Sequence, residues 1–527
     1  MTWKTIIGEV ANQLPQFNDD LLINFKDREI NKCADYIEGV FIEAVKAMPK
    51  STCISYKGKE VVDPINRVRN AFSQKQDKNR FNINGSEWKL VNYWFNVPGA
   101  DNDEMCVSLY IPYLVNRNLV INGTRYNFQL VIGDKLVHIP EGILIKVMRS
   151  PLKFWRKDTD RITITDIDGL GYAGHVITML AHYGAYGKTH HPPLLLYLLA
   201  KYGLTKTADL FNVKGLIDVT PRCTYDDEVY TYFEIIPNKC YIKAARDELN
   251  TSIVFKRLVL SLHLILTKFK EDILSADFRF EDLFNTTFYE SCLGKHIQGL
   301  DLMVGMARLQ GQDHLASLDP FLDAVSKKNL EADLGIHVNN VYELFVYIFI
   351  HMDDWLANYQ PNDLFEKKLY GIEHILKSAV QSIFDKVYTA VERRKDAKAK
   401  EIAKTVFRLR PDLLASMISA EGVNSSVSMY NDDTLFTELT DKIRQSRSSN
   451  TKSKASKAAK KDNIMYAKEY RFSASYVAIE SILSVSTSNP CIAGKINAFA
   501  QIDENNTFSK ARMPWFEQIE KLSDHLF

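Results

Sequence analysis

No apolar run in the sequence approaches the ~20 residues that a helix needs to cross a bilayer, so no membrane contact is expected. The first residues, MTWKTIIGEVANQLPQFNDD, lack the basic start and clean apolar stretch of a secretory signal. The chain is therefore expected to stay in the cytosol. Cysteine is sparse: Cys33, Cys53, Cys106, Cys223, Cys240, Cys292 and Cys491 are scattered, odd in number and without a C-x-x-C. That pattern argues against a zinc ribbon or a disulfide framework and leaves reduced, mostly structural thiols. Histidine supplies no better ligand set. His190 and His191 are neighbours pointing apart, and His175 and His182, one helical face apart, lack a nearby third ligand. An excess of either charge is missing too, with 66 basic against 65 acidic residues, so any contact with a polyanion must come from a local patch.

What is present describes an ordinary globular composition, 46% apolar and 25% charged, in a 527-residue chain long enough for two to four domains. Residues 1 to about 90 read as mainly helical, with a stripe through Leu21, Leu22, Phe25, Cys33, Ile37, Val40, Phe41, Ala44 and Val45. Strands follow from Trp88: WKLVNYWFNV, CVSLYIPYLV, LVINGTRYNFQLVI and LVHIP. Asn122-Gly123 is a strong hairpin turn, since both positions favour positive φ. RITITDID reads as a strand running into Gly169-Leu170-Gly171-Tyr172-Ala173-Gly174, a G-x-G-x-x-G match, and then into a helix-like HVITMLAHYGAYG. A dinucleotide site needs a later strand ending in Asp or Glu, which does not appear at the required distance.

Further along, PPLLLYLLAKYGLTKTADLF reads as a helix, TYFEIIP and CYIKAA as strands, and the chain from Thr251 as helical. VYELFVYIFIHMDDWL reads as a buried helix, with Asp353 and Asp354 as a cap or surface pair. Between residues 361 and 395 a helical stripe joins Leu369, Ile372, Ile375, Leu376, Ala379, Ile383, Phe384 and Val387. Asp363, Lys367 and Lys368 form its charged start, either solvated or facing nucleic acid.

The sharpest charge asymmetry lies near the C-terminus. From Lys442 to Lys461 there are eight basic residues and no acid. Such a block is either a solvated linker or a surface facing a polyanion. Its flanks favour a held loop: Leu435, Leu439 and Ile443 share a helical spacing on one side, and Tyr476 to Val485 is a β-prone run on the other.

Four segments resemble the β subunit of multisubunit DNA-dependent RNA polymerases, in that family's order. They are IPYLVNRNLVINGTRYNF, PPLLLYLLAKYGLTKTADLF, PNDLFEKKLYGIEHILKSAVQSIFDKVYTAVERRK, and the pair DDTLFTELTDKIRQSR and NPCIAGKINAFAQIDENNTFSKARMPW. Departures are local: Arg125 replaces an acid, STSNP stands for a Pro/Gly-rich signature, and Asp441 occupies a basic position. The resemblance implies an α+β, multidomain chain made of the family's protrusion and lobe domains plus its fork region. It places the first part of the protrusion at 1–150, the lobe at 151–356, the returning protrusion at 357–420, and the fork loop with the start of the active-centre domain at 421–527.

By the same resemblance this chain is the N-terminal part of a β subunit in a split form, as in giant-phage (phiKZ-like) polymerases. Lys442, Arg444, Arg447, Lys460, Lys461 and Arg471 are then expected to bind nucleic-acid phosphates. No catalytic residue and no metal are expected on this chain, because no D-x-D-x-D run gathers carboxylates for Mg²⁺. The family's Mg²⁺ belongs to a β′-like partner, so the chain is expected to be inactive alone. Its implied partners are a chain like the β C-terminal half, β′-like chains, template DNA and nascent RNA, in the cytoplasm of an infected bacterial host. Two other readings stay open: a dinucleotide-binding enzyme using Gly169 to Gly174, and a viral structural or scaffolding protein.

Overall fold

The computed structural model describes residues 14–18, 25–48, 50–63, 88–115, 118–121, 124–128, 130–139, 141–147, 151–157, 161–180, 191–225, 227–276, 278–298, 302–319, 321–358, 363–372, 376–393, 398–414, 427–429, 442–446, 473–479 and 493–526. It is an α+β protein of two units. One comprises Met1–Lys135, Ala332–Gly335 and Gln360–Phe527, the other Leu136–Glu331 and Ile336–Tyr359. The second is thus inserted into the chain of the first.

The first unit opens with α1 (Phe25–Asn31) and α2 (Cys33–Lys46). Cys33, Ile37, Val40, Phe41 and Ala44 are fully buried, the 3.6-residue stripe that the sequence predicts. They cover an antiparallel sheet of β1 (Ser55–Val61), β2 (Lys89–Asn96) and β3 (Glu104–Ile111), in which β2 is central. Alternation in β2 buries Val91, Tyr93 and Phe95, and β3 sets Leu109 opposite Val91 and Val107 opposite Tyr93. The Phe41 ring centroid lies 5.0 Å from that of Tyr93 and 5.5 Å from that of Phe95. β1 falls where helix was expected. SYKGKEV is polar and mostly exposed, so no apolar alternation announces it, and pairing along β2 supplies its order.

The strands β4 (Leu114–Val115), β5 (Asn118–Ile121) and β6 (Thr124–Phe128) form antiparallel ladders, and Ile121 pairs with Thr124 as a two-residue hairpin connection requires. After them comes β7 (Leu130–Asp134).

In the inserted unit, β8 (Val137–Ile139), β9 (Gly142–Ile145), β10 (Leu152–Trp155) and, after the hairpin of β11 (Arg161–Thr165) and β12 (Gly171–His175), β13 (Thr178–Leu180) build two antiparallel sheets. Helix α3 (Leu194–Leu210) begins after Pro193 and is buried from Leu194 to Ala200. It is broken at Gly203, whose φ of 76° lies outside the reach of most side chains and whose missing Cβ would stand 2.7 Å from the Phe284 carbonyl oxygen. A three-stranded sheet of β14 (Ile217–Thr220), β15 (Tyr230–Ile236) and β16 (Cys240–Ala245) follows, with β16 central.

The unit also contains the helices α4 (Ile253–Lys268), α5 (Thr286–Gln298), α6 (Val304–Leu318) and α7 (Val341–Ala357). Ser252 caps α4 by accepting from the Phe255 amide, and Asn340 caps α7 by accepting from the amides of Tyr342 and Glu343. As expected, α7 is core, with Leu344, Phe345, Ile348 and Phe349 fully buried.

The chain then returns to the first unit with β17 (Lys367–Tyr370), α8 (Lys377–Arg393) and α9 (Ala399–Val406). The expected helical stripe holds from Ala379 through Val387, all buried, but Leu369 sits in a strand. Pairing Leu369 with Ile132 of β7 outweighs the local helical spacing. Phe407, just past α9, stacks on Phe95 with centroids 4.0 Å apart, tying these helices to the first sheet.

The last elements are β18 (Val427–Met429), β19 (Lys442–Ser446), α10 (Ser475–Ile479), β20 (Ala493–Lys495) and α11 (Pro514–Leu526). Two expectations change here. Ile443 belongs to a strand rather than to a helical face, and the β-prone run from Tyr476 opens as a helical turn that buries Ser475, Ala478 and Ile479. Leu435, Leu439 and 480–485 lie outside the described residues.

Candidate nucleic-acid interface

The basic tract enters through the middle of a sheet. The order is β17, β7, β19, β20, so four segments far apart in sequence meet side by side. β19 runs parallel to β7, with Ile443 opposite Leu130 and Arg444 opposite Val131, and antiparallel to β20, with Lys442 opposite Lys495 and Arg444 opposite Ala493. Backbone on both sides holds the strand, which is why a polar KIRQS sequence with little strand propensity is extended.

The tract's far flank is also tied down. The Ser475 hydroxyl, 1% exposed, accepts from the Leu364 amide at 2.9 Å. Ile479 accepts from the Asn497 amide at 2.8 Å, and the Asn497 side chain donates to the Val477 carbonyl at 3.0 Å. Of the six expected phosphate ligands, the structure brings Lys442 and Arg444 onto β19 at alternate positions. Arg447, Lys460, Lys461 and Arg471 lie outside the described residues.

The other charged candidates are engaged within the protein. Lys367 and Lys368 are neither a solvated helix start nor a surface for nucleic acid. Both are strand residues, about one-tenth exposed or less, and their ammonium groups lie 2.6 Å from Asp134 and 2.7 Å from Asp333. Burial in β17 demands those partners, since an unpaired charge there would be costly. Asp363 accepts from the Phe365 amide at 3.0 Å, capping a short helical turn.

Asp353 and Asp354 diverge as expected, but Asp353 is not a cap or surface pair. It faces Arg156 at 2.6 Å and the Arg257 guanidinium, which is itself 3% exposed. Burial opposes ionisation of Asp353, and the two arginines outweigh it and hold the carboxyl below its ordinary value. Sequence reasoning missed this triad, because nothing local links Arg156, Arg257 and Asp353.

The glycine motif takes a form that a dinucleotide site does not use. Gly171 and Gly174 lie in β12, which pairs back along β11, with Ile162 opposite Gly174 and Thr165 opposite Gly171. Gly169 occupies the connecting turn at φ 86°, where Asp166 accepts from the Asp168 and Leu170 amides. Among the described residues no helix starts at these glycines, so the exposed amides and dipole that would receive a pyrophosphate are not built there. His175, expected on a helix, is the last residue of β12. His191 stacks on Trp155 with centroids 4.4 Å apart.

Among the described residues no three His, Cys, Asp or Glu side chains converge to hold a metal ion. No described helix is long and apolar enough to cross a membrane. The six described cysteines are free thiols.

This is an α+β chain of two units, in which the described residues on either side of 447–472 are tied into the fold, one side in a sheet and the other in a docked helical turn. A family model spanning residues 3–524 places such a chain among RNA polymerase subunits, components of a nucleotidyltransferase complex that work with other polymerase subunits. The chain belongs to the family described as non-virion RNA polymerase subunit. No curated protein matches it.

Proposed function

We propose that this chain is the β-like N-terminal half of a split, multisubunit DNA-dependent RNA polymerase of the giant-phage type. It forms one side of the DNA cleft and carries the fork loop near the active centre. The observation that carries the reading is the anchoring of both flanks of 447–472, by β19 between β7 and β20 and by Ser475 on Leu364. A part that holds strands apart needs fixed ends, and both flanks of this basic segment supply them.

The inserted unit supports the domain assignment. A lobe at 151–356 interrupting a protrusion at 1–150 and 357–420 matches the interrupted chain path, although the inserted unit begins upstream, at Leu136. The fork region then occupies 421–527. The β5–β6 ladder keeps the hairpin of the resembling β-subunit segment.

In this assignment Lys442, Arg444, Arg447, Lys460, Lys461 and Arg471 contact phosphates without reading sequence. The catalytic Mg²⁺ and its carboxylates belong to a β′-like partner, and a chain like the β C-terminal half completes the subunit. Template DNA and nascent RNA pass between them, in the cytoplasm of an infected bacterial host.

The test replaces the basic residues from Arg444 to Lys461 by Ser in the assembled polymerase. Promoter melting, read by permanganate reactivity of unpaired thymines, and elongation rate are then followed against salt. Weakened melting or elongation is expected, and an unchanged rate and salt profile refutes the reading. Mass spectrometry of the chains that co-purify tests the split independently.

A further inference from the structure

A second basic stretch lies away from the tract just described. From Arg393 to Arg410 the sequence holds eight basic residues and two acids, Asp396 and Glu401. The structure folds its described part, residues 398–410, alongside α8. A groove of about 730 Å³ opens there, with Met105 of β3 in its wall and three cations, Lys386, Lys404 and Arg408, around it. A second depression of about 410 Å³ shares Lys386 and Thr405 with the first and extends along α8 past Ser382 and Thr389. The two adjoin at these shared residues, on the first unit, and are together termed the channel.

The cations are not used up by the fold. Lys404 and Arg408 are exposed, and no carboxylate pairs with either among the described residues. Lys386 is half-buried and donates to the Arg408 carbonyl at 3.1 Å. Burial pushes its ammonium below the ordinary value, the condition of a cation short of anionic neighbours. Glu401 and Asp385 are the acids of the two depressions, and both are exposed to solvent. The Thr405 hydroxyl is committed to the Glu401 carbonyl at 2.9 Å, and Ser382 and Thr389 are the other hydroxyls among the described lining residues. Among the described residues that line it there is no aromatic ring, and the polar groups offered are mostly charged or hydroxylic.

We propose that this channel binds the sugar-phosphate backbone of a nucleic acid, with Lys404 and Arg408 each neutralising a phosphate and Ser382 and Thr389 donating hydrogen bonds. An RNA polymerase subunit works on such a polyanion, and cations with hydroxyls grip a backbone without reading its sequence. The proposal rests on membership of the polymerase family and not on the fork-loop reading, and the two are tested with different variants.

The test uses the assembled polymerase carrying Lys404→Ser and Arg408→Ser, both exposed and outside the packed core. Affinity for a fluorescein-labelled duplex of arbitrary sequence is measured by anisotropy between about 50 and 200 mM salt. Loss of two phosphate contacts makes the plot of log affinity against log salt shallower by about 2. A control with Lys206→Ser and Lys239→Ser, exposed lysines of the inserted unit, removes the same charge and keeps the parent slope. An unchanged slope in the groove variant overturns the proposal, and so does an equal loss in the control.

Discussion

The Lys367 ammonium lies 2.6 Å from the Asp134 carboxylate, although 233 residues separate them in the chain. The two are also opposite one another in the β17–β7 ladder, so one contact fixes register and compensates a buried charge. Asp134→Asn strands Lys367 and is expected to cost about 3 kcal/mol. Faster hydrogen exchange at β7 and β17 amides would register the loss, whereas Asp134→Leu with Lys367→Met should restore much of it. Unchanged exchange in the single variant would mean the pair is too hydrated to matter.

Asp353 makes the inserted unit sensitive to acid. Its folded pKa is depressed, so its contribution is complete above the unfolded value near 3.8 and is lost as pH falls through the lower folded value. Asp353→Asn is expected to cost roughly 2 to 3 kcal/mol near neutrality, somewhat under the figure for a fully enclosed pair. The gap between wild type and variant should close below about pH 4. Thermal melts at several pH values decide it, and a gap independent of pH contradicts the assignment.

Helices α5 and α6 touch where Gly294 meets Ala307. A Cβ on Gly294 would stand 1.8 Å from the Ala307 carbonyl oxygen, and this neighbour is backbone that cannot swing aside. Gly294→Ala is therefore expected to cost about 3 kcal/mol or more by forcing the helices apart. Limited proteolysis near residues 299–303 reads the separation, and parent-like resistance rules it out.

At Gly171 the expectation is the reverse. Nothing lies within 4 Å of a Cβ built there. Gly171→Ala should change stability by no more than about 0.5 kcal/mol and leave RNA synthesis by the assembled enzyme intact. Saturable dinucleotide binding by the parent chain, abolished by this substitution, would revive the nucleotide reading.

Ser475→Val removes the acceptor for the buried Leu364 amide and should destabilise the docked turn by about 1 to 3 kcal/mol. If anchoring positions the basic segment, promoter melting weakens although no cation has changed. Normal melting by an assembled enzyme whose turn is demonstrably loosened would separate anchoring from function.

The elements legible in the sequence are those whose period is carried by their own side chains. Cys33, Ile37, Val40, Phe41 and Ala44 announce a helix, and Val91, Tyr93 and Phe95 announce a strand, because burial acts on one face of each. β19 carries no such mark: KIRQS becomes a strand because β7 and β20 leave it a slot. The pairs Lys367–Asp134 and Arg257–Asp353 were illegible for the same reason, since each joins residues that only the fold brings together. Of the expected phosphate ligands, the charge tract was plain in the sequence, yet its attachment to a central strand was not. The channel beside α8 left a visible trace, the basic run to Arg410, but the burial of Lys386 that completes it is a tertiary property.

The position of β19 also governs how the molecule comes into being. β7 ends at Asp134 and its parallel neighbour begins at Lys442, so a ribosome must add about 300 residues before that side of β7 meets its mate. At roughly 5 to 20 residues per second, the exposed ladder waits on the order of half a minute in every newborn chain. During that interval it is a template for any extended peptide nearby, and a chaperone or an early-arriving polymerase subunit that shields it would raise the yield of native protein.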